Sequence, residues 1–200
     1  MSSPYVDADA LVSPDASIGE GTKVWGLAQV REGAVLGTGC IIGRGAYVGA
    51  GVRIGDRVKI QNLALVYEPA VVESGVFIGP AVVLTNDHFP RAVTPTGEAA
   101  TASDWEAVGV TIREGASIGA RAVCVAPVTI GRWAMVGAGA TVTEDVPDHA
   151  LVVGTPARFL RWVGRAGRPL TEGTDGRWTC PVTGETYTLT DGKMELTSDD

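Results

Sequence analysis

The chain has little of several residue types that define common classes of protein. Three cysteines in 200 residues, none in a CxxC pair, argue against a disulfide framework and against zinc, and they favour a cytoplasmic protein. A net charge of −7 makes nucleic acid and anionic membranes poor partners. No apolar run approaches a membrane span, and the first residues lack the basic start and apolar core of a signal peptide.

A period of six dominates the rest of the sequence. An aliphatic residue stands at every sixth position from Val6 to Leu84, and the same period returns from Ile112 to Val142 with Cys124 in one aliphatic position. Neither an amphipathic helix nor an alternating strand has this period. The two arrays are out of phase, because positions 84 and 112 differ by 28, which is not a multiple of six. We therefore expect one repeat array that is interrupted once, over residues 85–111.

Each repeat has its own internal pattern. A small or β-branched residue stands two positions before the aliphatic residue and a glycine often follows it, as in Ala34, Leu36 and Gly37. Positions i and i+2 of a strand share a face, so the first two are expected to point inward. The glycine is expected to allow a positive φ at a corner. Three repeats would close an 18-residue triangular coil, and the whole array would stack into about seven coils.

After Val142 the period stops. Residues 143–158 are rich in turn formers, and residues 159–164 suggest a short helix with apolar Phe159, Leu160 and Val163. Residues 178–194 are typical of a β-hairpin that covers an open solenoid end. We thus expect a β-helix over 1–150, with the insertion 85–111, and an exit loop, short helix and hairpin over 151–200.

Three segments resemble a known family. The six-residue period and VGAGATVTEDVPDHALVVGTPAR (136–158) resemble the hexapeptide-repeat acyltransferases, which implies an all-β, left-handed parallel β-helix that holds coenzyme A at its last coils. KIQNLALVYEPAVVESGVFIGPAVVLTNDHFPRA (59–92) and RWTCPVTGETYTLTDG (177–192) are similar to bacterial N-acetyltransferases of nucleotide-linked 3-amino sugars, such as the UDP-2-acetamido-3-amino-2,3-dideoxyglucuronate N-acetyltransferases. The resemblance implies acetyl-CoA as cosubstrate, no metal and a homotrimer.

The candidate catalytic residues cluster at the root of the insertion, where rigid scaffolds commonly carry function. By resemblance Asn86 orients the acceptor amine; the alternative is an asparagine that satisfies the backbone at a corner. His88 would accept a proton, or is a loop or interface residue, since the related enzymes are thought to need no protein base. Asp87 would orient His88 or hold the ammonium, beside Thr85. Arg91 would meet a phosphate or carboxylate, or form a structural salt bridge.

Three further residues are candidates for substrate binding. Gln61 and Asn62 interrupt the aliphatic pattern directly after Ile60, so they either line the sugar pocket or form an amide ladder between coils. Tyr67 follows one register later. Trp105 in the insertion is expected to anchor the loop hydrophobically, with stacking on the substrate as the alternative.

The coenzyme A candidates lie at the end of the array. Gly137, Ala138 and Gly139 would let the pantetheine arm approach the backbone. By resemblance Pro156 packs near the adenine and Arg158 meets a phosphate. His149 is expected to be a surface loop residue near this exit path.

The function expected from these residues is transfer of acetyl from acetyl-CoA to the amine of a UDP- or dTDP-linked amino sugar. An O-acetyltransferase acting on a hydroxyl is the nearest alternative, and a non-catalytic solenoid is a remote one, because no regular outward Thr ladder is present. A zinc carbonic anhydrase of this fold would need three histidines, and the chain has two. The identity of the base and the sugar is left open.

Overall fold

A computed structural model describes residues 2–198, and this part of the chain is built from β-strands and their connections. No helix in this range is long and apolar enough to cross a membrane. Two- and three-residue strands wind into a parallel solenoid with three strands per coil, and each strand pairs with the strand 18 residues later in the first coils. The all-β solenoid predicted from the period is confirmed, and its left-handed winding stays a prediction from the resemblance.

The strands form three flat faces. Sheet A contains β1 Tyr5–Val6, β4 Lys23–Val24, β7 Ile41–Ile42, β10 Lys59–Ile60, β13 Phe77–Ile78, β16 Ser117–Ile118, β19 Met135–Val136, β21 Ala150–Val153 and β22 Arg158–Trp162. Sheet B contains β2 Leu11–Val12, β5 Gln29–Val30, β8 Tyr47–Val48, β11 Leu65–Val66, β14 Val83–Leu84, β17 Val123–Cys124 and β20 Thr141–Val142. Sheet C contains β3 Ser17–Ile18, β6 Val35–Leu36, β9 Arg53–Ile54, β12 Val71–Val72, β15 Val110–Ile112 and β18 Val128–Ile130.

We call the turns between these faces the AB, BC and CA corners, in chain order. Strands β1 to β20, with an isolated parallel bridge from Val146 to Ile130, complete seven coils, and β21 opens an eighth. The predicted number of about seven coils therefore agrees with the structure. The last coil is shorter than the others, because Val136 pairs with Val152, only 16 positions away.

The core is a thin column in which small and large side chains alternate. Ala34 and Leu36 are 0% and 2% exposed, and the equivalent pair in every central coil is buried in the same way. Cys40 and Cys124 are fully buried in this column, as their positions in the repeat predicted. Burial of both residues of each repeat follows from the shared face of strand positions i and i+2.

The glycines that follow the aliphatic residues are needed for a different reason from the one predicted. A Cβ at Gly37 would lie 2.5 Å from Asp56 Oδ1 and 2.6 Å from the carbonyl carbon of Gly55, both on the next coil. The positive φ falls two residues later, at Gly39 (64°) and, at other corners, even at non-glycine residues such as Arg57 (54°). At Gly37 the glycine after the aliphatic residue is thus required by the close approach of the next coil.

The insertion enters at the BC corner between β14 and β15. Val72 pairs with Ile112, 40 positions away, whereas Ile54 pairs with Val72, 18 positions away. The insertion therefore adds 22 residues to this coil. The strands before and after it stay in register, so that aliphatic residues of successive coils still point inward. Strand β15 begins at Val110, slightly before the predicted end of the interruption at residue 111.

The helix predicted over residues 159–164 is wrong. Strand β22 covers Arg158–Trp162 and pairs antiparallel with β21, with Val153 opposite Arg158. Six residues are too few for a helix to be stable without packing of its own, and the free edge of β21 offers backbone partners instead. Val163 is buried, while Phe159 and Leu160 are about half exposed on the outside.

The C-terminal residues form a sheet that is larger than the predicted hairpin. Its four antiparallel strands are β23 Thr171–Glu172, β24 Arg177–Thr179, β25 Thr186–Thr190 and β26 Lys193–Ser198. The residues that link the last three strands, Pro181 to Gly184 and Asp191 to Gly192, are those in which the sequence predicted turns. A separate small core of Leu170, Cys180, Tyr187 and Met194 holds the sheet together.

We expect Gly37→Ala to lower the free energy of unfolding by about 1–3 kcal/mol, because its methyl group would overlap the backbone of the next coil. Glu20→Ala, at the equivalent exposed corner position of the preceding coil, serves as the control and should change it by less than about 0.5 kcal/mol. Denaturant unfolding curves of the two variants make the comparison. Equal stability of Gly37→Ala and wild type would show that the coils can separate at this corner.

Candidate active site

The root of the insertion lies at the BC corner, directly after β14. Thr85 Oγ1 accepts the backbone N–H of Ala126 on the next coil at 2.9 Å, which fastens this corner to its neighbour. The backbone carbonyl of Asn86 accepts the N–H of Val108 at 3.1 Å and closes the neck of the insertion. The half-buried side-chain amide of Asn86 makes no hydrogen bond to residues 2–198, so it can serve a ligand.

A cleft of about 320 Å³ opens beside this root. Its wall includes Asp87, His88, Phe89, Trp105 and Glu106. Asp87 Oδ1 accepts the N–H of Phe89 at 2.8 Å, and the His88 and Phe89 rings stack with centroids 4.2 Å apart. Trp105 is 41% exposed and lines the cleft, so it does not lie under the loop as the predicted hydrophobic anchor. Phe89, 79% exposed, is a cleft residue that the sequence analysis missed.

The Asn62 side chain contacts the backbone of the preceding coil, while its two predicted roles, in the sugar pocket or in an amide ladder, stay predictions. Its Oδ1 accepts the backbone N–H of Arg44 at 2.9 Å, just as Asp56 Oδ1 accepts that of Thr38 at 2.8 Å. This contact uses the oxygen of the Asn62 amide and leaves its NH₂ group to donate. Gln61 lies half-buried at the start of the same AB corner.

Tyr67 and Arg91 lie on the BC side of the molecule. The Tyr67 ring contacts that of Tyr47, with centroids 5.2 Å apart, on the coil before the insertion. Arg91 is exposed, and its guanidinium donates to the carbonyl of Pro90 at 2.8 Å. No ion pair of Arg91 exists among residues 2–198, which leaves its charge for a ligand.

The structure brings the predicted coenzyme A residues together. Gly137, Ala138 and Gly139 form the AB corner after β19, and the exit segment returns over them. Thr155 Oγ1 contacts the Gly139 carbonyl at 3.4 Å, so the exposed Pro156 and Arg158 follow directly beside this corner. A Cβ at Gly137 would meet Val153 at 2.8 Å, whereas Gly139, at φ 71°, has open space around it. A ligand can therefore approach the backbone closely at Gly139. At Gly137 a side chain is excluded by Val153 of the same chain.

The candidates fall into two groups at opposite edges of sheet B. Gln61, Asn62 and the coenzyme A residues lie at the AB corner, and Tyr67 and the insertion root lie at the BC corner. Each strand of sheet B separates the two corners of its own coil. One chain therefore does not place both groups in one cleft.

The two cysteines in the solenoid core, Cys40 and Cys124, are unsuited to nucleophilic chemistry. Burial raises the pKa of the Cys124 thiol to about 12 and also raises the pKa of Cys40. A thiol in such surroundings carries almost no thiolate at neutral pH. Among residues 2–198 there is no group of three His, Cys, Asp or Glu side chains that could hold a metal ion.

The expectation that His149 is a surface loop residue is wrong. It is 6% exposed, its Nδ1–H donates to the Val163 carbonyl at 3.0 Å, and its ring meets that of Tyr187 edge-on at 5.1 Å. The Tyr187 hydroxyl donates to Glu185 Oε2 at 2.7 Å and accepts the N–H of Arg165 at 3.0 Å. His149 thus joins the last coil to the C-terminal sheet. No sequence pattern indicates this contact, because the partners of His149 lie 14 and 38 positions away.

These features define a solenoid of six-residue repeats with an open corner at Gly139 and an inserted loop. Two family models match the chain: bacterial transferase hexapeptide (six repeats) over residues 15–53, and the hexapeptide repeat of succinyl-transferase over residues 108–144. Over these two ranges the chain is similar to the hexapeptide-repeat acyltransferases.

Three known proteins show the range of its relatives. The dTDP-3-amino-3,6-dideoxy-alpha-D-galactopyranose 3-N-acetyltransferase of Aneurinibacillus thermoaerophilus is 46% identical over 88 residues, 44% of this chain and 45% of that enzyme. Serine acetyltransferase of Salmonella typhimurium is 36% identical over 95 residues, 47% of this chain and 33% of that enzyme. The chain thus spans less than half the length of these curated relatives. The acetyltransferase domain of PglB from Neisseria gonorrhoeae, solved with acetyl coenzyme A, is 26% identical with a TM-score of 0.51, over 79% of this chain and 58% of that one.

The His149 contact predicts a pH-dependent stability. Burial is the main cause that lowers the pKa of His149 below its ordinary value of 6.5. The unfolded chain therefore takes up a proton before the folded chain does. The stabilisation is fully present above about pH 6.5 and is lost as the pH falls through the folded pKa. We expect the Tm to fall over this range more steeply in wild type than in His149→Asn, whose side chain tolerates the φ of 61° at this position. Equal slopes would assign the pH dependence to other groups.

Proposed function

We propose that this protein is an N-acetyltransferase that moves the acetyl group of acetyl-CoA to the amine of a nucleotide-linked amino sugar. The observation that carries the proposal is the AB corner, where Pro156 and Arg158 return over the corner at Gly139, with Asn62 at the same corner three coils below. Acetyl-CoA bound at the last coils and an acceptor bound near Asn62 would meet along this edge of the solenoid. The amino-sugar N-acetyltransferase relative, at 46% identity, supports an amine as the acceptor.

The reaction needs positioning more than acid–base strength. The amine lone pair attacks the thioester carbonyl, the C–S bond breaks, and the coenzyme A thiolate leaves and takes up the proton that the nitrogen loses. Asn86 would accept a hydrogen bond from the amine through its amide oxygen and aim the lone pair at the carbonyl. Asp87 would attract the ammonium form. His88, exposed and stacked on Phe89, has no required part in the proton transfer.

The active form would be a homotrimer with sites shared between subunits. The coenzyme A residues and the insertion root lie at opposite edges of sheet B, so a complete site needs the AB corner of one subunit beside the BC corner of another. Closed three-fold symmetry would form three such sites from identical chains.

Acetyl transfer to a hydroxyl is the second candidate. The serine acetyltransferase relative, at 36% identity, acts on a serine acceptor by its name, and it favours this alternative. Thiol release from acetyl-CoA with UDP- and dTDP-linked 3-amino sugars, compared with the matching 3-hydroxy sugars and with serine, separates the two. Turnover only with the hydroxyl acceptors would reject the proposed amine transfer.

We expect Asn86→Ala to lower kcat by about 100-fold or more, because a misplaced amine loses its near-attack geometry. His88→Asn should stay within about tenfold of wild type and keep the pH–rate profile. Steady-state kinetics over a range of pH with a saturating acceptor makes the comparison. An active Asn86→Ala and a His88→Asn that loses the rate would instead assign His88 as the general base.

Mixed trimers test the shared site. Arg158→Ala should raise the KM for acetyl-CoA roughly 10- to 150-fold through loss of a charge-assisted contact, so at low acetyl-CoA both it and Asn86→Ala have little activity. Trimers that contain both variants, isolated by two different tags, should recover about one third of the wild-type sites, because one interface then combines two intact corners. Trimers of a single variant carrying the same two tags are the control. No recovery would place both groups in one subunit's site.

A further inference from the structure

A second cleft, of about 440 Å³, lies at the AB corner of the first four coils. Its walls include Asp9 on the first coil, Trp25 on the second, Arg44 on the third and Asn62 on the fourth. The catalytic candidates of the insertion and the coenzyme A residues are not part of it. The cleft therefore needs an explanation of its own.

Trp25 is placed where the solenoid does not need an aromatic residue. The same corner position is occupied by Gly43, Gly79, Gly119 and Gly137 on other coils, so packing of the corner is satisfied by glycine. Trp25 is nevertheless 43% exposed, with its ring 5.6 Å from that of the half-exposed Tyr5. An exposed indole braced by a second ring is a stacking surface for a planar ligand group, and base–aromatic stacking tolerates any base.

The polar groups of the cleft are arranged in a definite order. The carboxylate of Asp7 is occupied, because Oδ1 accepts the N–H of Asp9 at 3.0 Å and Oδ2 contacts the Tyr5 hydroxyl at 3.4 Å. Asp9 is exposed and can accept from ribose hydroxyls or a base N–H. Arg44 has its backbone fixed by Asn62, and its exposed guanidinium makes no hydrogen bond or ion pair to residues 2–198. A guanidinium is suited to bind a phosphate.

From this order we infer that the cleft binds the nucleoside diphosphate part of the acceptor. The base stacks on Trp25 with its N–H groups toward Asp9, the ribose follows, and the diphosphate meets Arg44 on the next coil. The attached sugar then reaches Gln61 and Asn62. This inference rests on the proposed function for the nature of the acceptor, while the binding site itself can be tested without acetyl transfer.

The geometry of the corner supports this direction of binding. The AB corners stack in register, since the N–H of each first corner residue from Trp25 to Gly137 donates to the carbonyl of the strand on the next coil. Successive coils are about 4.8 Å apart, so Trp25 lies roughly 10 Å from Gln61 and roughly 24 Å from Gly137. The corners Gly79 to Ala81 and Gly119 to Arg121 intervene between the sugar residues and the coenzyme A corner, and the exposed Arg121 adds a positive charge there. Base, phosphate, sugar and thioester would thus follow one another along a single edge.

Direct binding of UDP and dTDP, measured by calorimetry on the full chain, tests the inference. Trp25→Ala should weaken binding of either diphosphate about 5- to 150-fold, the scale of one base–aromatic stack, and Trp25→Phe should keep most of the affinity. Arg44→Ala should weaken the diphosphates about 10- to 150-fold. It should leave the affinity for uridine and thymidine unchanged, whereas Trp25→Ala weakens these nucleosides as well. The matched controls are Val35→Ala and Arg53→Ala, exposed residues of sheet C, which should bind as wild type.

The outcomes separate this inference from the proposed function. Wild type that binds neither diphosphate, or Trp25→Ala and Arg44→Ala variants that bind within twofold of wild type, would overturn the nucleotide cleft even if acetyl transfer is observed. The protein could instead bind the diphosphates through Trp25 and Arg44 but acetylate no amino sugar. That result would support the nucleotide cleft and reject the proposed reaction. If both hold, Trp25→Ala and Arg44→Ala should raise the KM for the nucleotide sugar and leave the KM for acetyl-CoA unchanged.

Discussion

The structure depends on how closely one coil approaches the next. Each short strand has its backbone partners in neighbouring coils, and at the corners a glycine such as Gly37 lets the following turn come within contact distance. This close approach keeps the hydrogen bonds between two-residue strands short. It also buries a thin core, to which each repeat contributes only two side chains. Side chains that reach between coils, such as Asp56 to the N–H of Thr38, satisfy corner amides that have no strand partner.

The same stacking turns a repeat in the sequence into a line of residues in space. Residues 18 positions apart lie one coil apart on the same corner, so Trp25, Arg44 and Asn62 form one surface although they are far apart in the chain. The insertion occupies a different corner and builds its own cleft from Asp87, His88 and Trp105. A rigid scaffold of this kind presents two sets of functional groups at fixed separation, with one sheet between them.

The sequence predicted most of the scaffold, because each inward residue is dictated by burial and repeats at a fixed interval. Val30 and Leu36 had to point inward whatever their neighbours were. The cause of the glycine at position 37 was misjudged, since a clash with the next coil involves residues 18 or more positions away. The strand over Arg158–Trp162 was missed for a similar reason: its stability comes from the edge of β21, not from its own five residues.

The candidate site was predictable only in part. Pro156 and Arg158 could be placed beside Gly139 because the exit motif follows the last repeat directly. His149 could not be recognised as a buried link, since Tyr187 belongs to a sheet that folds back on the last coil. Trp25 was passed over because it stands at a corner, where the repeat allows almost any residue.

The neck of the insertion has a consequence for how such proteins can change. The chain leaves the solenoid at Asn86 and returns at Val108, and one hydrogen bond of 3.1 Å joins the two points. A loop whose ends are already held together can grow or shrink at small entropic cost, about 0.6 kcal/mol for each doubling of its length. The cleft at the root of the insertion can therefore be rebuilt by exchanging a single loop, while the coils that carry the protein's stability keep their register.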